Sequence, residues 1–229
     1  MELARASKKD AEIPRSASSY EYTVTVGQHD SVKRGIFFSP KEVQHLVAGS
    51  FMVMSVGLSS MLFFSVDSLQ TALTVFGVYG LVLTISFLAH ELAHKFSAQK
   101  IGLWAEFRLS LWGALITLLS VISPVFKIIS PGAVMVSGSE GPKEMGKISL
   151  AGPLTNIFLS AALAGFALIP GAYSEVLVSA AFINGFMGLF NLVPFGILDG
   201  FKVFQWDKRI WGTAFAASTA LTITSYYLF

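Results

Sequence analysis

The chain has 229 residues, 53% hydrophobic and 13% charged, with a net charge of +2 and no cysteine. Soluble domains carry about 25% charged residues, so this composition, with its long uncharged apolar runs, excludes an ordinary soluble domain and points to a membrane protein. The net charge is too small to suggest a nucleic-acid partner, and the lack of cysteine excludes disulfides, thiolate ligands and a cysteine nucleophile.

Residues 1–38 are polar and read as a cytoplasmic, mostly flexible tail, within which 20–26 alternates like a short strand. No apolar h-region marks a cleavable signal peptide. Ser39-Pro40-Lys41-Glu42 reads as a helix start: Ser39 caps, Pro40 takes the first helical position and Glu42 stands where a capping box needs it. The apolar stretch 43–66 is long enough to span a bilayer. Asp67-Ser68 opens a tight turn, and a second span comes next at 69–96. Residues 97–108 are amphipathic, with Lys100, Trp104, Glu106 and Arg108, and read as interfacial.

The stretch 109–126 carries no charge, but Ser123-Pro124 and Ser130-Pro131-Gly132 break the chain near and beyond its end, with Lys127 between them. Residues 131–147 read as a Gly-rich loop or a short β-hairpin. Further spans are expected at 148–169, 176–193 and 210–229, and 192–200 reads as a helix that unwinds. The expected fold is an all-α polytopic membrane protein with five transmembrane helices plus one re-entrant or interfacial segment, a sixth span being the alternative. In this reading 39–229 is a single membrane-embedded domain. If 109–126 dips in and returns, all Lys and Arg lie on one side, which the positive-inside rule makes cytoplasmic.

The second expected span ends in His90-Glu91-Leu92-Ala93-His94. Residues four apart share a helix face, so His90 and His94 can offer ring nitrogens to one Zn²⁺ ion. Glu91 lies about 100° around the helix, beside the metal rather than on it. There it can take a proton from water that zinc has acidified. The bland alternative is a helix end with charged groups at the lipid headgroups, but ionisable groups in such segments are usually functional.

A catalytic zinc needs three protein ligands and an open position. Ser97 and Lys100 stand where the metzincin pattern wants Gly and His, which excludes that family. His29, His45, Glu106, Glu140, Glu144 and Asp207 read as solvated or interfacial. Asp199 differs: it comes after a long uncharged stretch, and Pro194, Gly196 and Gly200 loosen the chain around it. Unwound backbone at membrane depth is tolerated only when buried in protein or lining a wet cavity, so Asp199 is the expected third ligand. That choice also favours the re-entrant segment, because a further crossing would put Asp199 about 30 Å from the histidines.

These residues resemble the site-2 protease family, the M50 intramembrane zinc metalloproteases. The resemblance is carried by His90-Glu91-Leu92-Ala93-His94, by Ala151-Gly152-Pro153-Leu154-Thr155-Asn156, and by Asn191-Leu192-Val193-Pro194 leading to Leu198-Asp199-Gly200. It covers roughly 70–205 and is closest to compact prokaryotic or archaeal members, with no room for a PDZ or CBS-like domain. It implies one zinc per chain held by His90, His94 and Asp199, with Glu91 as general base. It also implies cleavage of a peptide bond in or near the transmembrane segment of a membrane-protein substrate. Phe201 departs from the Gly often seen there. Asn156 and Asn191 either bond between helices or hold an extended substrate strand, while Asn184 reads as packing. The expected protein sits in the lipid bilayer of a prokaryotic cell membrane, with its N-terminus and active site near the cytoplasmic side. The competing reading is a metal-ion transporter or sensor built on the same His and Asp ligands.

Overall fold

The computed structural model describes residues 35–63, 68–124, 127–138, 141–169, 171 and 174–228. The strand expected at 20–26, together with His29, Asp67, Glu140 and Pro170, lies outside the described residues. Helices dominate: α1 Pro40–Ser59, α2 Leu69–Lys100, α3 Leu111–Ile122, α4 Pro142–Ala167, α5 Ser174–Asn191, α6 Asp199–Trp206 and α7 Lys208–Leu228. Strands β1 Trp104–Leu109 and β2 Gly132–Ser137 form one two-stranded sheet.

Short polar residues set the helix starts. Ser39, Ser68 and Ser110 accept backbone N–H groups of Glu42, Thr71 and Gly113 at 3.1, 3.1 and 3.0 Å. Glu42 does not turn back to complete a capping box. Its carboxylate faces inward, to Lys95 and the Phe107 N–H.

Helix α2 is the centre of the packing, with α1 on one side and α4 on the other; α4 in turn packs on α5 and α6, and α5 on α7. At the α1–α2 crossing, Gly57 faces the Gly80 backbone so closely that a Cβ at 57 would overlap it. Among the described residues, α2 and α4 are long and apolar enough to cross a membrane. The expected count of five spans therefore goes beyond what length and composition of the described helices establish.

The sheet corrects two expectations. The partner of β2 is not another part of 131–147 but 104–109, paired antiparallel from Trp104↔Ser137 to Leu109↔Gly132. The alternation Ala105, Phe107, Leu109 against Glu106 and Arg108 is a strand's period of two, which an interfacial reading of 97–108 overlooks. Ala105 and Phe107 are buried at 0% and 1% exposure. Glu106 is buried too, held by Arg108 and by the Ser39 hydroxyl, and is not a solvated charge.

Because Leu109 pairs with Gly132, the segment between them leaves and returns at one level. The returning strand is tied to α3 by Ile128 N–H to Ser120 Oγ (2.9 Å) and Ser130 N–H to Thr117 Oγ1 (3.1 Å). At the tip, Lys127 Nζ donates to Ser59 Oγ and to the Ser120 carbonyl, both at 3.0 Å. Ser59 is the last residue of α1, ~25 Å along the helix from Glu42. Lys127 thus stands at the opposite end of α1 from Lys41. Positive charges at a helix's last carbonyls are favourable, and Lys127 meets those of α3.

Candidate metal centre

His90 and His94 lie one turn apart on α2, and Asp199 opens α6 after an irregular stretch at 192–198. That stretch forms because Pro194 withholds a backbone donor and Gly196 takes a left-handed φ of 56°. It is held from outside: Trp211 Nε1 donates to the Leu192 carbonyl at 2.8 Å, and Gly200 packs on the same carbonyl.

The three expected ligands converge although 109 positions separate His90 from Asp199. Their facing atoms form a small triangle. The two Nε2 atoms are 3.1 Å apart, and Asp199 Oδ2 lies 3.2 Å from His90 Nε2 and 3.0 Å from His94 Nε2. Tetrahedral ligands about 2.0–2.1 Å from a zinc ion stand ~3.3 Å from one another, so the triangle fits that ion closely.

The other ring nitrogens decide what these atoms can do. His90 Nδ1 faces Asn156 Oδ1 at 2.5 Å, and His94 Nδ1 faces the Ile148 carbonyl at 2.7 Å. Both partners only accept, so both Nδ1 atoms carry the proton and both Nε2 lone pairs turn to the centre. Two lone pairs and a carboxylate facing one another need a cation or a shared proton between them.

The seat for the ion is built by α4. Ile148, Gly152 and Asn156 recur every four residues and so share one face. Ile148 fixes His94 and Asn156 fixes His90, while Gly152 leaves the space between open. Asn156 is fully buried, and its amide nitrogen donates to Asn184 Oδ1 (3.0 Å) and the Ser86 carbonyl (3.4 Å). Asn184 is held in turn by its donation to Ala180 O at 2.9 Å. Asn191 is half-buried and donates to Met187 O at 3.0 Å. Glu91 is half-buried beside the triangle and outside it, with the Val134 N–H of β2 directed at its carboxylate.

The roles of Ile148, Gly152 and Asn184 are not apparent from residue type. Ile148 acts through its carbonyl and Gly152 through having no side chain. Gly152 is signalled by the 151–156 stretch that carries the family resemblance, whereas for Ile148 the signal is the four-residue spacing that ends at Asn156.

A helical fold that brings two histidines and an aspartate together, with a glutamate alongside, has the donor set of a metal-dependent enzyme. The chain is 38% identical over 149 residues to "Putative zinc metalloprotease MJ0611" of Methanocaldococcus jannaschii, covering 62% of this chain and 74% of that protein. It is 33% identical over 139 residues to "Putative zinc metalloprotease Rip3" of Mycobacterium tuberculosis, covering 56% of this chain and 31% of that longer protein. No family model and no solved structure matches it. The chain belongs to this family of zinc metalloproteases, and its cofactor is zinc.

Proposed function

We propose that the chain is an intramembrane endopeptidase of the site-2 type, which hydrolyses a peptide bond in or near the transmembrane segment of another membrane protein. The observation that carries this reading is the triangle of acceptor atoms with edges of 3.0–3.2 Å and a glutamate beside it that is not a ligand. His90, His94 and Asp199 hold the zinc ion, which when bound polarises the scissile carbonyl and acidifies water. Glu91 is the general base: it takes the proton from the attacking water and delivers it to the leaving amine. Asn156 positions His90, and Asn191, at the end of α5, holds an extended stretch of substrate.

In this reading residues 39–229 form one membrane-embedded domain with five spans, α1, α2, α4, α5 and α7, and α3 lies in a re-entrant hairpin. Outward-facing apolar side chains on α2, among them Leu69, Leu73, Leu81 and Ile85, support contact with lipid. Lys95 of α2 meets Glu42, two residues into α1, so the histidines lie near the end from which α1 starts. That end faces the cytoplasm of a prokaryotic cell, together with the N-terminus. A transporter or sensor built on the same ligands has no use for Glu91, and the relatives bear protease names.

The test is Glu91→Gln in the purified full chain, with a reporter containing one transmembrane helix in lipid vesicles. Zinc content stays at the wild-type level while the cleavage rate falls by at least the ~10²–10⁴-fold that a general base contributes. Cleavage at the wild-type rate would sink the assignment.

A further inference from the structure

The charges least expected inside an apolar helical body are Glu42 and Lys95, exposed at 0% and 1%. Lys95 Nζ stands 2.6 Å from Glu42 Oε2 and also donates to the Ala105 carbonyl at 3.1 Å. Glu42 Oε1 accepts the Phe107 N–H at 3.0 Å. Gln99 adds a second donor to Ala105 O at 3.1 Å, and Leu109 N–H donates to His45 Nδ1 at 3.3 Å. Side chains of α1 and α2 therefore meet backbone groups of β1 at 105, 107 and 109, along its outer edge. Phe38 covers the ammonium, 4.3 Å from Nζ to its ring centre.

Strand geometry carries this constraint to the other strand. Phe107 and Val134 are register partners. The Phe107 N–H points away from β2, toward Glu42, so the two form a non-hydrogen-bonded pair, and the Val134 N–H must point away from β1. There the Val134 N–H is directed at the carboxylate of Glu91, one turn of α2 before the Lys95 that reaches the outer edge of β1. The clamp on one edge of the sheet thus sets the height of the donor on the opposite edge. The metal ligands are held by different partners, Asn156 and Ile148 on α4.

A buried ion pair is a weak source of stability, because desolvating two charges costs about as much as their attraction returns. Apolar residues of the same volume serve packing as well. A role in geometry explains the pair better. We propose that Glu42 and Lys95 are positioning residues, a clamp that seats the β1–β2 hairpin on α2 and through Val134 holds Glu91 at its working position beside the metal. This rests on the peptidase reading for the role of Glu91; the clamp itself can be read without catalysis.

The experiment compares two double variants of the full chain that both remove the charges, E42M/K95M and E42Q/K95M. The glutamine keeps an acceptor for the Phe107 N–H; the methionine does not. Both variants retain one zinc per chain and melt close to wild type, as expected when a buried pair is replaced by groups of similar volume. Amide exchange, followed by mass spectrometry over 104–109 and 132–138, speeds up about tenfold in E42M/K95M and stays near wild type in E42Q/K95M, as for local opening on loss of an anchoring bond. For the reporter, kcat falls about tenfold in E42M/K95M with KM nearly unchanged, a fraction of what a general base supplies. Unchanged exchange in E42M/K95M, equal effects in the two variants, or loss of zinc together with activity would overturn the clamp. If wild type and Glu91→Gln cleave alike, the peptidase reading fails, and the exchange measurement still decides whether the clamp exists.

Discussion

Replacing Gly152 with alanine tests the metal seat where it has least room. A Cβ at 152 would lie 2.6 Å from His90 Nε2 and 2.7 Å from His94 Cε1, and nearer still to His94 Nε2. Carbon needs about 3.5 Å from such atoms, so both rings would have to withdraw by about 1 Å. Neither is free to do so: His90 is tied to Asn156 and His94 to Ile148, both on the helix that would carry the new methyl. A zinc site accepts only about 0.2 Å of error in ligand distance. Gly152→Ala is therefore expected to weaken zinc binding by more than ~100-fold, the upper end for changes just outside a metal's ligands and equal to about 2.8 kcal/mol. The assay is zinc content by mass spectrometry after equilibration in graded chelator buffers, with circular dichroism and melting of the metal-free protein as controls for folding. A folded Gly152→Ala protein that takes up zinc along the wild-type curve would refute the idea that Gly152 keeps the seat open.

Asn156→Ala frees His90 Nδ1 from its acceptor, and zinc affinity should drop about 10–100-fold in the same chelator titration, with Asn156→Asp recovering part of it. Trp211→Phe keeps the ring against Phe215 and Phe204 but removes the donor to the Leu192 carbonyl. A melting scan should register a loss of about 1 kcal/mol.

The three candidate metal ligands are legible in the sequence because their chemistry dictates residue type. Only a few side chains bind zinc, and the four-residue spacing of His90 and His94 survives intact in α2. Asp199 is legible through the helix breakers around it. Glu42, Lys95 and Glu106 are not, because a charge near a helix end or turn is usually solvated, and what buries these three lies 53 to 67 positions away. The strand at 104–109 is hidden for the same reason: six alternating residues fit an interfacial segment as well as a strand until the partner at 132–137 is known. The place of Lys127 is hidden because a charge count over loops assumes that a loop stays where it starts, whereas this lysine meets Ser59 at the last residue of α1. Asn156 stands out in the sequence as a polar residue among apolar ones. That its partner is His90 emerges only from the packing of α4 on α2.

The split ligand set also bears on how the protein is made. With His90 and Asp199 separated by 109 positions, the centre cannot close until the ribosome has delivered α6 and α4 has docked between its neighbours. In the proposed function a growing chain therefore carries His90, Glu91 and His94 through most of these residues before the third ligand can join them, and the proposed centre closes only once α6 is in place.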